Sequence, residues 1–416
     1  MRGRRLRADT APGALAVPEN TNGGVNAAEV VSGGGVPVSV PLTTTGANAV
    51  QAGDVITLTV DDPTTNAPIT LSYTVTADDI TAGTASVLVP TASIPVDGTY
   101  NLSATITDPA GNTSPASTGS FTVDMTAPAA GTGALASISD TGTVGDHTTN
   151  DSTPELSGTA EAGSTVEVTV NGNTYLVTTI GTTWTLDLQT AIPAGATAPA
   201  TALPDGNHTS TIKVIDAAGN STTSTGTPFM VDASAPTVLG DLATASDSSG
   251  TLAGVIVGNS TDNITNDTTP AFTGTGEAGN VITLVLANGT YQTTVQSNGS
   301  WTIDTGNVTA GAFTAGNANT YATFSTGETG LTNALDLNLT SANAFTDNAR
   351  EFDVTVTAKD AAGNSASVTI PVTIDTIVTD PTINITNGIS PVTGTGEAGA
   401  SVVLYESEAV ASRDRK

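Results

Sequence analysis

The stretch TNDSTPELSGTAEAG at Thr149–Gly163 returns as TNDTTPAFTGTGEAG at Thr265–Gly279, 116 residues later, and a worn copy, TNGISPVTGTGEAG, starts at Thr386. Other landmarks recur with it. DPAGN at Asp108 returns as DAAGN at Asp216 and Asp360, and VDMTAP at Val123 returns as VDASAP at Val231 and more loosely as IDTIVTDP at Ile374. Trp184 and Trp301 occupy matching places. The order is constant: linker Asp, acidic loop, TND, GxxEAG, Trp, DxAGN, next linker Asp. A period of about 110 residues is too long for a solenoid repeat and fits a whole small domain. The expected division is 1–17 as a non-domain segment, then domains at 18–123, 124–231 and 232–374, the last with an insertion near 304–350. Residues 375–416 read as a truncated further copy with a basic tail, so the chain is expected to be a piece of a longer one.

The second unit shows what each domain is made of. STVEVTV (164–170) alternates and places Val166, Val168 and Val170 on one face. TYLVTT, TWTLDL, TSTIKVID and TPFMVD follow, separated by Asn-Gly, Gly-Thr, Asp-Gly and Ala-Gly-Asn turns. Short alternating strands with frequent turns predict an all-β chain, and about seven strands in about 110 residues favour an immunoglobulin-like sandwich. The 44 glycines, 21 prolines and abundant threonine agree, and no long segment carries helical apolar periodicity. Aromatics are only 4% of the chain, which suits several modest cores better than one large one. Tandem sandwiches joined end to end would form an elongated rod.

Charge narrows the function. The formal net charge is -29, and seven of the ten basic residues lie at the two ends. Between residues 8 and 412 only Lys213, Arg350 and Lys359 remain against 38 acids. Phosphate binding needs basic patches, so nucleic acid is an unsuitable partner. No apolar run reaches the roughly 18 residues of a membrane span, and the basic start lacks the apolar stretch of a signal peptide. Cysteine is absent, which excludes disulfides and thiolate metal sites.

Three sets of acids invite chemistry. Asp140, Asp146 and Asp151 lie in a loop rich in Thr, Gly and Asn, and Asp247, Asp262 and Asp267 lie in its counterpart. A linker acid, Asp124 or Asp232, precedes each loop. Short oxygen-bearing side chains on such loops suit calcium, which takes six to eight oxygens, and clustered carboxylates without cations otherwise repel. Only His147 and His208 could act as soft ligands, so zinc and copper fit poorly. The competing reading is that Asp and Asn merely shape turns, and for DxAGN, with Asp216 and Asp360, turn geometry is favoured. Glu161 and Glu277 have no partner acid in an aromatic cleft, which argues against glycosidase chemistry. No nucleophile elbow, P-loop or HExxH motif is present, and no enzyme activity is expected. Trp184 and Trp301 fit the core of a sandwich better than a sugar platform. Phe313, Tyr321, Phe324 and Phe345 are the aromatics of the insertion that could serve a binding module.

TDNITNDTTPAFTGTGEAG, DAAGN and VDASAP resemble the bacterial Ig-like repeats of giant surface adhesins, including RTX and biofilm-associated (Bap-like) adhesins. NGGVNAAEVVSGGGVPVSV resembles a sister Ig-like subtype, which would make residues 18–123 a related rather than identical domain. The resemblance spans residues 18–405. It implies a secreted, cell-surface stalk, monomeric and stiffened by Ca2+ near its domain junctions, that serves cell adhesion or biofilm formation. Host or matrix glycans or proteins would be bound by regions outside this chain. Carried over, the ligand sets are Asp124, Asp140, Asp146, Asp151, Glu161 and Asp216 in the second domain, and Asp232, Asp247, Asp262, Asp267, Glu277 and Asp360 in the third. Gly388 stands where the fourth copy would need its Asp. The first domain lacks the TND loop and offers only Glu19 and Glu29. A glycan- or protein-binding sandwich and an accessory region of a polysaccharide-active enzyme are the rival readings.

Overall fold

The computed structural model describes residues 10–374 except 21–22, 47, 65–67, 253–254, 259, 268, 287–288, 307–308, 311–319 and 325–349, together with 382–384 and 393–396. Strands are the dominant regular structure of the described residues, whose only α-helices are the short segments Ala27–Val31 and Ala77–Ala82. None of their helices is long and apolar enough to cross a membrane. Two compact units emerge: Met1–Asp140 with Asp151–Val231, and Thr141–Asn150 with Asp232–Lys416.

The first unit holds two hydrophobic cores. One is built by the sheet ordered Val25–Asn26, Ser117–Asp124, Gly98–Thr107, Val55–Asp61, Pro68–Thr74 and by the pair Gly35–Pro41 with Thr84–Pro90. Alternation drives it: Val36, Val38 and Val40 point inward from one strand, and Ile56, Leu58 and Val60 from another. Tyr100 stacks on Phe121 with ring centroids 5.3 Å apart. The second core lies between two further sheets. Glu155–Thr159 is flanked by Thr183–Asp187 and Ala134–Leu135, and the facing order is Asn173–Thr178, Thr165–Val170, Ser210–Ile215, Ser221–Thr225. Val166, Val168 and Val170 are buried on one face, as their alternation predicts. Asn171 and Gly172 both take positive φ, the conformation that closes a tight two-residue hairpin.

The second unit repeats the plan around a third core. Ala271–Gly276 lies between Val238–Leu242 and Ser300–Asp304, and Val281–Leu286 lies between Gly289–Thr294 and the long strand Arg350–Lys359. Part of the insertion after Trp301 extends this sheet, because Thr320–Phe324 pairs with Gly289–Thr294. The expected aromatics Phe313 and Phe345 lie outside the described residues.

Both tryptophans are core residues, each 1% exposed. Trp184 Nε1 donates to the Thr132 carbonyl at 3.1 Å, and Trp301 Nε1 donates to that of Leu239 at 3.1 Å. The repeated GxxEAG is thereby explained in part. A Cβ at Gly158 would stand 2.7 Å from the Trp184 ring, and one at Gly274 would stand 2.6 Å from that of Trp301. The first glycine of the motif makes room for the indole. The last, Gly163 or Gly279, turns the chain at φ 81° or 92°.

Candidate functional site

The DxAGN motif folds as one closed turn three times. Asp216 Oδ1 accepts from the Gly219 and Asn220 amides at 2.7 and 2.8 Å, and its Oδ2 accepts from Asn220 Nδ2 at 3.0 Å. Asp360 repeats this with Gly363 and Asn364 at 2.8 Å each, and Asn364 Nδ2 at 2.9 Å. Asp108 bonds the Asn112 amide at 3.0 Å and Asn112 Nδ2 at 2.9 Å. Both carboxylate oxygens of Asp216 and Asp360 thus hold the turn.

The turn also holds the linker. Asn220 Nδ2 donates to the Asp124 carbonyl at 2.7 Å, and Asn364 Nδ2 donates to the Asp232 carbonyl at 2.6 Å. The linker carboxylates accept from the amide two residues on, that of Thr126 at 3.1 Å and of Ser234 at 3.3 Å. Asp97 adds a second grip in the first unit, taking the Met125 amide at 2.6 Å and the Thr126 hydroxyl. The asparagines and Asp97 are functional residues that the sequence reading missed. Their partners lie far away in sequence, and the only trace was that Asn never varies among the three turns.

The acidic loops share a scaffold. In one, the Thr141 hydroxyl accepts from the Asn150 amide at 2.8 Å and Asp146 Oδ1 from the Thr148 amide at 2.8 Å. In the other, the Ser248 hydroxyl accepts from the Asn266 amide at 2.8 Å and Asp262 Oδ1 from the Ile264 amide at 3.2 Å. His147 and Asn263 occupy matching positive-φ positions, at 60° and 56°. Asp151 and Asp267 each cap the start of the next strand, through the amides of Thr153 and Thr269 at 2.8 Å. Asp267 also accepts from the Ser246 hydroxyl at 3.1 Å, and Thr265 donates to the Ser246 carbonyl. One difference separates the loops: a hairpin, Ser249–Leu252 with Val255–Gly258, is inserted between Asp247 and Asp262.

Asp140 and Asp247 are both buried at the loop base. Asp247 is 4% exposed, its Oδ2 accepts a long 3.4 Å bond from the Asn263 amide, and its Oδ1 has no hydrogen-bond partner. Burial pushes this carboxyl above the usual range, and the negative charges of Asp262 and Asp241 add to the push. A buried carboxylate beside a second acid, on backbone rich in oxygen acceptors, fits a hard cation. Among the described residues, however, no group of three or more His, Asp or Glu side chains is placed to hold a metal ion. Glu161 is exposed, while Glu277 Oε1 accepts from the Thr237 amide at 2.9 Å. Cations are scarce here too. The one ion pair seen among the described residues, Lys213 with Glu167 at 3.0 Å, crosses two strands on a solvated face.

Tandem sandwiches, two of them with an entry linker held by a DxAGN turn, define a class of modular Ig-like protein. Bacterial Ig-like domains match residues 43–125, 126–233 and 235–323. The chain belongs to that family. Comparison with curated proteins returns no match. Among solved structures, the chain is similar to a Ca2+-stabilised adhesin that helps an Antarctic bacterium reach out and bind ice. Identity there is 25%, over 91% of this chain and 78% of that one, with a TM-score of 0.35. It is also similar to a 1.5-MDa bacterial ice-binding adhesin, at 23% identity over 88% of this chain and 98% of that one, with a TM-score of 0.31. A biofilm-associated protein domain matches at 18% identity over 53% and 29%, with a TM-score of 0.17.

Proposed function

We propose that this chain is an extender segment of a secreted bacterial surface adhesin, in which calcium stiffens the connections between successive Ig-like sandwiches. The observation that carries the reading is Asp247: a buried carboxylate with an unpartnered oxygen, beside Asp262, in an acidic chain nearly without cations. Asp247 and Asp262 would hold the ion in the third domain, with Asp140 and Asp146 as their counterparts in the second. When bound, calcium supplies charge neutralisation and cross-links between loop segments. The chain's own residues do the rest. DxAGN turns fix the linkers, Asp151 and Asp267 fix the strand starts, and the sandwiches supply length. The role is mechanical, placing an adhesive region outside this chain at a distance from the cell surface and so supporting adhesion or biofilm formation.

Thermal unfolding and small-angle X-ray scattering, each in calcium and in chelator, test this. Calcium should raise the melting temperature and sharpen the long-distance end of the scattering profile. An unchanged melting temperature together with an unchanged maximum dimension would sink the calcium-stiffened stalk.

A further inference from the structure

We propose that the Asp108–Asn112 turn of the first sandwich is a docking surface for the loop end of another Ig-like sandwich, placed ahead of it. The proposal rests on the tandem-array reading and concerns direct protein contacts, not calcium.

The same turn is docked twice elsewhere in the chain. In the first unit, Asn26 Nδ2 donates to the Ala218 carbonyl at 3.0 Å and the Ala27 amide donates to Asn220 Oδ1 at 3.1 Å. In the second unit, the Thr141 hydroxyl donates to the Ala362 carbonyl at 2.6 Å and the Thr143 amide donates to that of Ala361 at 3.2 Å. The two receiving segments, Gly23–Ala27 and Thr141–Asn150, differ in sequence and conformation, yet both press a positive-φ glycine against the residue that follows the turn's Asp. A Cβ on Gly23 would stand 2.9 Å from the Ala217 carbonyl oxygen, and one on Gly142 would run into that of Ala361. Convergence of two unlike segments on one turn marks the turn as the recognised element.

Burial differs between the copies. The central alanine is 3% exposed at Ala218 and 1% at Ala362, whereas Ala110 is exposed. The internal bonds between Asp108 and Asn112 match those of the docked copies. Pro109 replaces the first alanine without loss, since docking uses that residue's carbonyl and not its amide. The sequence ahead of the first sandwich, Asp9-Thr10-Ala11-Pro12, resembles the linker runs DMTAP and DASAP with one residue fewer between Asp and Pro. The occupant that fits is a loop of the Thr141–Asn150 kind, reaching the turn through that linker.

The chain has no cysteine, so introduced pairs report contacts cleanly. The control is the full chain with Thr143→Cys and Ala361→Cys. The test is a chain in which a second copy of residues 124–231 replaces residues 1–8, so that its Val231 leads into Asp9. That added copy carries Thr143→Cys, and the first sandwich carries Pro109→Cys. Both pairs should oxidise to a disulfide in most molecules, and Gly142→Ala in the added copy should reduce the yield at least fivefold. Hydrogen exchange at Ala110–Asn112, without cysteines, should slow at least tenfold in the extended chain. A cross-linked control beside an uncross-linked, unprotected test would overturn the proposal. Loss of the control cross-link would overturn it as well, by removing the docked precedent. Neither result bears on whether calcium raises the melting temperature.

Discussion

Single residues decide where this chain stores its electrostatic tension. Asp247 has an unpartnered, buried oxygen with Asp262 and Asp241 nearby. Asp247→Asn keeps the shape and removes the charge. In chelator it should stabilise the protein by roughly 1–2 kcal/mol, since an uncompensated buried charge is relieved. In calcium the same variant should lose part of the metal-dependent rise in melting temperature. Differential scanning calorimetry of both proteins in both buffers checks the opposite signs. Legibility in the sequence was uneven at this scale. Asp140, Asp247 and the tryptophans stood out because the repeat fixed their places. The second role of Asn220 and Asn364 did not, because it consists of a bond to a carbonyl 96 or 132 residues away. Glu277 recurs with Glu161, but its oxygen binds Thr237, so recurrence alone did not reveal its partner.

Among elements, the short helix Ala77–Ala82 has the clearest pH signature. Burial pushes the Asp79 carboxyl up, but hydrogen bonds from the Thr76 hydroxyl and amide and from the Tyr73 hydroxyl outweigh it and hold the group below its ordinary value. A carboxyl lowered in the folded state adds stability above its unfolded pKa and loses it as pH falls through the folded value. Thr76→Ala should therefore cost about 1 kcal/mol at neutral pH, in the range of other N-cap losses, and the gap from wild type should shrink below about pH 4. Acid titrations of both proteins, followed by exchange of the helix amides, check this. Strands such as Thr165–Val170 were readable because period-2 alternation is a local property. The hairpin Ser249–Gly258 was not, since SSGTLAGVIVG mixes strand formers with glycine and reads equally well as a loop.

On the scale of the whole molecule, three hydrophobic clusters imply more than one unfolding event. Trp184 reports only the second core and Trp301 only the third, so tryptophan-selective fluorescence is blind to the first while circular dichroism is not. Thermal melts by the two probes should diverge. Trp184→Ala should shift one transition by about 3–5 kcal/mol and leave the Trp301 signal at its own temperature. Coincident melts by both probes, in both proteins, would mean that the three cores unfold as one. The tandem plan itself was legible from the spacing of the landmarks, because a repeated order of motifs survives even where side chains drift.

The two pins between a DxAGN asparagine and a linker carbonyl each lie wholly inside one repeat. Asn220 and Asp124 belong to one sandwich, and Asn364 and Asp232 to the next. Both of these repeats therefore bring their own linker pin. A gene that duplicates, deletes or reorders whole repeats copies this pin along with the sandwich. An array built this way can change length in single recombination steps while its pinned entry linkers stay held.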